Sequence, residues 1–245
     1  NMERTNELLM MKTERGAMRG GRPPQTSAPA VVLRDVWFRY DEASPWVLNG
    51  LDLTVKAGET VLLSWPSGGG KSTLLRVLSG LLAPSRGDAL IFGLEAQKAR
   101  QLITYIPQQA MLFPSSVLEN LRLLSGGARL ERIMEAAEAT GLSEIVAGWP
   151  MGFETVVSLG ASNVSSGQRQ LVLYTAAVAS ETPLVLLDEA LAHVDLARRA
   201  RLGTASLFHG RTVIAVVHDA SPREVANARQ IAEHGAASLR LRADP

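Results

Sequence analysis

The chain has 245 residues, 46% hydrophobic and 20% charged, with 25 Lys+Arg against 24 Asp+Glu. That length can bury a full core, the net charge of +1 offers no broad basic face for nucleic acid, and the lack of Cys excludes disulfides, thiolate metal sites and cysteine nucleophiles. No run approaches the roughly 18 apolar residues of a membrane span, and the polar N-terminus does not read as a signal peptide.

The opening Asn1-Met2 fits a piece of a longer polypeptide. Residues 2–14 read as a short amphipathic helix, and Gly16, Gly20, Gly21, Pro23, Pro24 and Pro29 make a flexible linker after it. Strands are predicted at Val31–Leu33, Val36–Tyr40, Val47–Val55 and Thr60–Leu63. A glycine-rich loop and a helix from about Ser72 to Leu82 follow, and residues from about 115 to 180 read as mainly helical. Leu184–Leu187 and Thr212–Val217 are continuous apolar runs of the kind that fill buried parallel strands. Strands alternating with helices predict an α/β fold.

Between a strand and a helix stands Pro66-Ser67-Gly68-Gly69-Gly70-Lys71-Ser72-Thr73. Such a loop turns successive backbone N–H groups toward one point at the positive end of a helix, which suits a phosphate. Lys71 supplies a mobile cation for β- and γ-phosphates, and Ser72 a hydroxyl for Mg²⁺. Trp65 occupies the place of the first glycine in the P-loop pattern G-x-x-x-x-G-K-[ST]. If that position needs non-standard backbone, the strain is on the order of 1–3 kcal/mol, which predicts weakened rather than abolished binding.

The run Leu184–Leu187 ends in Asp188-Glu189. A carboxylate at the end of a buried strand beside a P-loop can reach the Mg²⁺ shell, and Glu189 is placed to orient or deprotonate a water. Alone, the pair reads equally well as a helix cap; the upstream loop favours chemistry.

Between these elements lies Val164-Ser165-Ser166-Gly167-Gln168. With it the chain resembles the nucleotide-binding domain of ABC transporters, whose signature is Leu-Ser-Gly-Gly-Gln; Val164 and Ser166 depart from it. The resemblance implies a P-loop NTPase core with a parallel sheet, an N-terminal antiparallel β subdomain and a helical subdomain at about 110–170, within a cassette spanning 31–245. Residues 1–30 would be the helix and linker that connect to a transmembrane domain.

Shorter motifs fall in the family's order. Tyr40 resembles the aromatic that stacks on adenine, and Gln108, in Tyr105-Ile106-Pro107-Gln108, the glutamine that touches Mg²⁺ or water. Asp195 resembles the aspartate facing a second subunit, and His218 the histidine at the γ-phosphate. The resemblance thus implies ATP and Mg²⁺, held by Tyr40, Pro66, Ser67, Gly68, Gly69, Gly70, Lys71, Ser72 and Thr73. Ser165, Ser166, Gly167, Gln168 and Asp195 would serve across a head-to-tail dimer. Ser72, Gln108 and Asp188 would meet the metal, and Glu189, His218, Lys71 and Gln108 would carry catalysis.

Leu112–Asn120 and Gly152–Val157 are similar to exporter segments, although Ser158-Leu159 replaces the Gly-Glu usual in that subfamily. The implied partners are a transmembrane domain and a second ATPase domain, with no nucleic acid and membrane contact only through the partner. The implied location is the cytoplasmic face of the cell membrane, the inner membrane in a bacterium. Two alternatives stay open: a degenerate ATP-binding regulatory subunit with little hydrolysis, and an importer-type subunit.

Overall fold

The structure is a computed structural model that describes residues 28–64, 68–109, 111–194, 202, 207–217 and 229–231. The expected N-terminal helix and the linker up to residue 27 lie outside them, as do Trp65, Pro66, Ser67, Asp195 and His218, whereas Pro29 and Ala30, expected in the linker, open the first strand because Ala30 packs into the core.

Two sheets organise these residues. The first is antiparallel, in the order β2-β1-β4-β5, built from β1 (Pro29–Phe38), β2 (Leu48–Lys56), β4 (Arg86–Ile91) and β5 (Leu94–Glu95). The two strands expected at Val31–Leu33 and Val36–Tyr40 are one strand whose register slips on either side of Asp35, where φ is 46°. The second sheet is parallel, in the order β6-β7-β8-β3-β9, from β3 (Thr60–Leu63), β6 (Ile103–Ile106), β7 (Leu184–Asp188), β8 (Thr212–Val216) and β9 (Arg229–Ile231). The α/β architecture and the mix of parallel and antiparallel sheets are those expected.

The apolar runs are continuous because the parallel sheet is covered on both faces. Successive side chains of a strand point to opposite faces, so Leu184 and Leu186 enter one core while Val185 and Leu187 enter the other. The first core packs the antiparallel sheet and helix α1 (Lys71–Leu78) against the parallel sheet; Leu33, Val36, Leu74 and Leu75 belong to it. The second joins the parallel sheet to α2 (Val117–Leu124), α3 (Leu130–Thr140), α4 (Leu142–Ala147) and α5 (Ser166–Ala179), with Leu121, Ile133 and Tyr174 inside.

Helix α1 ends at Leu78 rather than near Leu82, because Gly80 turns the chain at φ 71°. Before α2, buried Asn120 accepts from Phe113 N–H at 2.8 Å and donates to the carbonyls of Phe113 and Ser116, each at 3.0 Å. The asparagine of the exporter-like segment is therefore the fastener of the turn that precedes its own helix. Beyond α5, Arg211 donates to Thr182 O at 2.7 Å, Ala177 O at 3.0 Å and Ser180 Oγ at 2.9 Å, tying that helix end to β8.

The register of the parallel sheet gathers the loops that matter. Ile106 pairs with Leu187, Asp188 with Val216 and Val216 with Leu63, so four strands end side by side. Loops at the carboxyl edge of such a sheet form its natural binding crevice.

Candidate active site

At the end of β3 the chain enters the glycine-rich turn and then α1. Gly70 caps the helix at φ 81°, and Gly68 lies at φ 86°. A Cβ on Gly70 would meet the Val47 carbonyl at 2.9 Å, so glycine is required both for the φ angle and for the close approach. No side chain caps α1, which leaves its first N–H groups directed at the turn. Lys71 is only 6% exposed, and Thr73 is buried too. A cation at the positive end of a helix is the chemistry that holds phosphate oxygens.

Ser72 donates from Oγ to Asp188 Oδ1 at 3.1 Å, joining the helix start to the end of β7. Burial raises the Asp188 carboxyl above its ordinary range, a trend that the Ser72 hydrogen bond opposes. A desolvated carboxylate beside a hydroxyl gains most from a nearby cation. The described residues hold no cluster of three His, Cys, Asp or Glu for a metal. This sparse donor set fits Mg²⁺, which keeps several waters and takes other ligands from substrate phosphates.

Glu189 follows in the left-handed region at φ 50°, a conformation that costs a non-glycine residue of order 1–3 kcal/mol. Its Oε2 accepts from Gln108 Nε2 at 2.8 Å. The glutamine and the acid, 81 positions apart, thus meet where β6 and β7 end.

Tyr40 stands just after β1, 55% exposed, with its ring edge-on to Phe38 at 5.0 Å. Its hydroxyl lies 3.1 Å from Thr73 Oγ1 and accepts from Arg76 at 3.3 Å. These bonds fix the ring on the helix that carries Lys71 and Ser72, with π surface open to solvent.

The signature residues form a second cluster. Ser165 is the N-cap of α5: its Oγ accepts from Gln168 N–H at 3.2 Å, while Gln168 Oε1 accepts from Ser165 N–H at 2.9 Å. This reciprocal capping box leaves the Ser165 hydroxyl proton available. Ser166 is exposed in the first turn. A Cβ on Gly167 would sit 2.6 Å from the His193 carbonyl, so the helix start presses against the turn after Glu189.

Three contributors escaped the sequence. Tyr105 reaches Asp188 Oδ2 at 3.5 Å, and burial followed by the Asp188 charge pushes its phenol up to about 12, which keeps it a donor. Arg76 bonds both Tyr105 and Tyr40. Gln170 contacts the turn beyond Glu189. Tyr105 stands in the same motif as Gln108; Arg76 and Gln170 resemble ordinary helix residues until the fold brings their partners.

Residues 48–192 match the family described as ABC transporter. The chain belongs to the ABC transporter family. The proteins it resembles include an ATP-dependent flippase and an ABC exporter. It shares 32% identity over 216 residues with an ATP-dependent lipid A-core flippase of Alkalilimnicola ehrlichii, covering 85% of this chain and 37% of that protein. With ABC transporter B family member 4 of Dictyostelium discoideum it shares 34% over 196 residues, covering 77% and 26%. The solved structure of a bacterial Atm1-family ABC exporter with ATP bound superposes with a TM-score of 0.73 at 26% identity, over 89% of this chain and 39% of that one. The chain therefore spans between 26% and 39% of these relatives.

Proposed function

We propose that this ABC domain binds Mg-ATP between its P-loop and the signature segment of a second ATPase domain, hydrolyses it, and thereby powers an attached transmembrane exporter. The observation that carries this reading is the meeting of Ser72 with Asp188 at 3.1 Å beside buried Lys71, with Glu189 next in the chain.

In this scheme the amides at Gly68–Gly70 and the start of α1 hold the phosphates, Lys71 neutralises their charge, and the exposed face of Tyr40 stacks on adenine. Ser72, Asp188 and Gln108 would hold Mg²⁺, which supplies charge neutralisation at the β- and γ-phosphates. The Glu189 carboxylate orients the attacking water and takes its proton, with His218 at the γ-phosphate. Ser165 would donate its hydroxyl to ATP held by the other domain, alongside Ser166, Gly167 and Gln168, with Asp195 at the same interface. Catalysis is then mostly positioning and charge stabilisation.

The cassette would begin with β1 at Pro29, two residues before the boundary expected at 31, and the residues before it would make the tether to the membrane part; no described helix is long and apolar enough to cross a membrane. The membrane partner would dock on the exposed apolar residues Met111, Phe113, Val156 and Leu159, carried by segments tied through Val157 N–H to Ser115 O at 2.9 Å. The domain would then sit on the cytoplasmic face of that membrane.

The deciding experiment is Mg-ATP turnover of the purified chain across protein concentration, with Glu189→Gln alongside. Turnover per chain that rises with concentration and falls about 10²–10³-fold in the variant is expected. Equal turnover in both would sink the assignment of Glu189.

A further inference from the structure

Gln170 joins the signature end of α5 to the catalytic turn of the same chain. Its side chain is 7% exposed, and both of its polar ends are engaged. Oε1 accepts from His193 N–H at 2.7 Å, and Nε2 donates to the main-chain carbonyl of Glu189 at 3.5 Å. The turn it grips closes on itself through Ala192 N–H to Glu189 O and Val194 N–H to Leu191 O, each at 3.1 Å.

That turn begins at φ 50°, a backbone state that a glutamate keeps only when its surroundings over-determine it. Two features of α5 do so. Gly167 lets the helix start lie against the His193 carbonyl, and Gln170 holds the amide of the same residue together with the carbonyl of Glu189. Gln170 and the Ser165–Gln168 capping box occupy the same first turns of the helix, so displacement of one carries the other.

We propose that Gln170 is a positioning residue that holds the Glu189 carboxylate in its working place and transmits movement of the signature segment to it. The proposal rests on the reading of Glu189 as the base. Nucleotide affinity should be nearly independent of Gln170, because the phosphates are held at the glycine turn and not at α5 of the same chain.

The test compares Gln170→Met, which keeps length and burial without either polar end, with Gln170→Glu, which keeps the acceptor for His193 N–H and loses the donor. Each is made in the full chain, alone and combined with Glu189→Gln. Expected for Gln170→Met is a fall of about 10–30-fold in kcat for Mg-ATP with KM and nucleotide affinity within about threefold, and exchange of the His193 amide hydrogen about tenfold faster or more. Gln170→Glu should fall between Met and Gln in kcat and keep slow exchange at His193; should the Met variant unfold, this one carries the comparison. In the Glu189→Gln background neither change should lower residual turnover further, since there is no base left to position. Full kcat in Gln170→Met, unchanged exchange at His193, or the same proportional loss with and without Glu189 would each overturn the proposal. Undiminished turnover in Glu189→Gln alone is a different pattern, and it removes the general-base reading itself.

Discussion

Lys71 shows how one residue can be both structural and chemical. At 6% exposure it opens a helix whose N-cap is Gly70, and the positive end of that helix favours an anion. Lys71→Ala is therefore expected to weaken ATP binding at least tenfold, as measured by equilibrium titration with a fluorescent nucleotide, with little change in folding. Tyr105 acts more gently. Its hydroxyl donates to Asp188 at 3.5 Å, so Tyr105→Phe should raise the free Mg²⁺ needed for half-maximal turnover about threefold and leave the rate at saturating metal near that of the parent. A rate lowered equally at every Mg²⁺ concentration would contradict that role.

Helix α5 carries function at one end and stability at the other. At its start Gly167 touches the His193 carbonyl, and Gly167→Ala should push helix and turn apart, lowering turnover more than tenfold. Ser166→Gly, at an exposed neighbour, should stay within about twofold of the parent in the same assay. At its far end Arg211 is a half-buried cation whose guanidinium burial lowers to about 10, still charged at neutral pH. It binds two backbone carbonyls and Ser180 Oγ, so Arg211→Ala should cost about 2–4 kcal/mol in denaturant unfolding. Elements like these differ in how openly the sequence displays them. Leu184–Leu187 and Val213–Val216 were legible because burial on both faces leaves no polar position, and the loop ending in Lys71-Ser72 because its chemistry is local. β4 was not, since it opens Arg-Gly-Asp and its first three residues are exposed. The kink at Asp35 and the grip of Gln170 were illegible for another reason: each depends on a partner strand or turn distant in the chain.

For the molecule as a whole, the unusual surface lies beside the helical core. Leu159 is 86% exposed and Met111 81%, with Phe113 and Val156 also exposed. Leu159→Glu should leave the ATPase rate of the isolated chain within about twofold and improve its solubility, measured by light scattering at rising concentration. A large drop in turnover would instead place Leu159 at the nucleotide. The sheet order bears on how the chain comes to be made. Among the described strands β3 has neighbours only in β8 and β9, with Thr60 opposite Val213. The strand that leads into the P-loop therefore waits for the C-terminal third of the protein, on the order of ten seconds of synthesis at about 5–20 residues per second. Until then the ribosome holds an antiparallel sheet and a set of helices with an unfilled slot between β7 and β3, and a messenger truncated before Thr212 would yield a product fit for proteolysis rather than a smaller working enzyme.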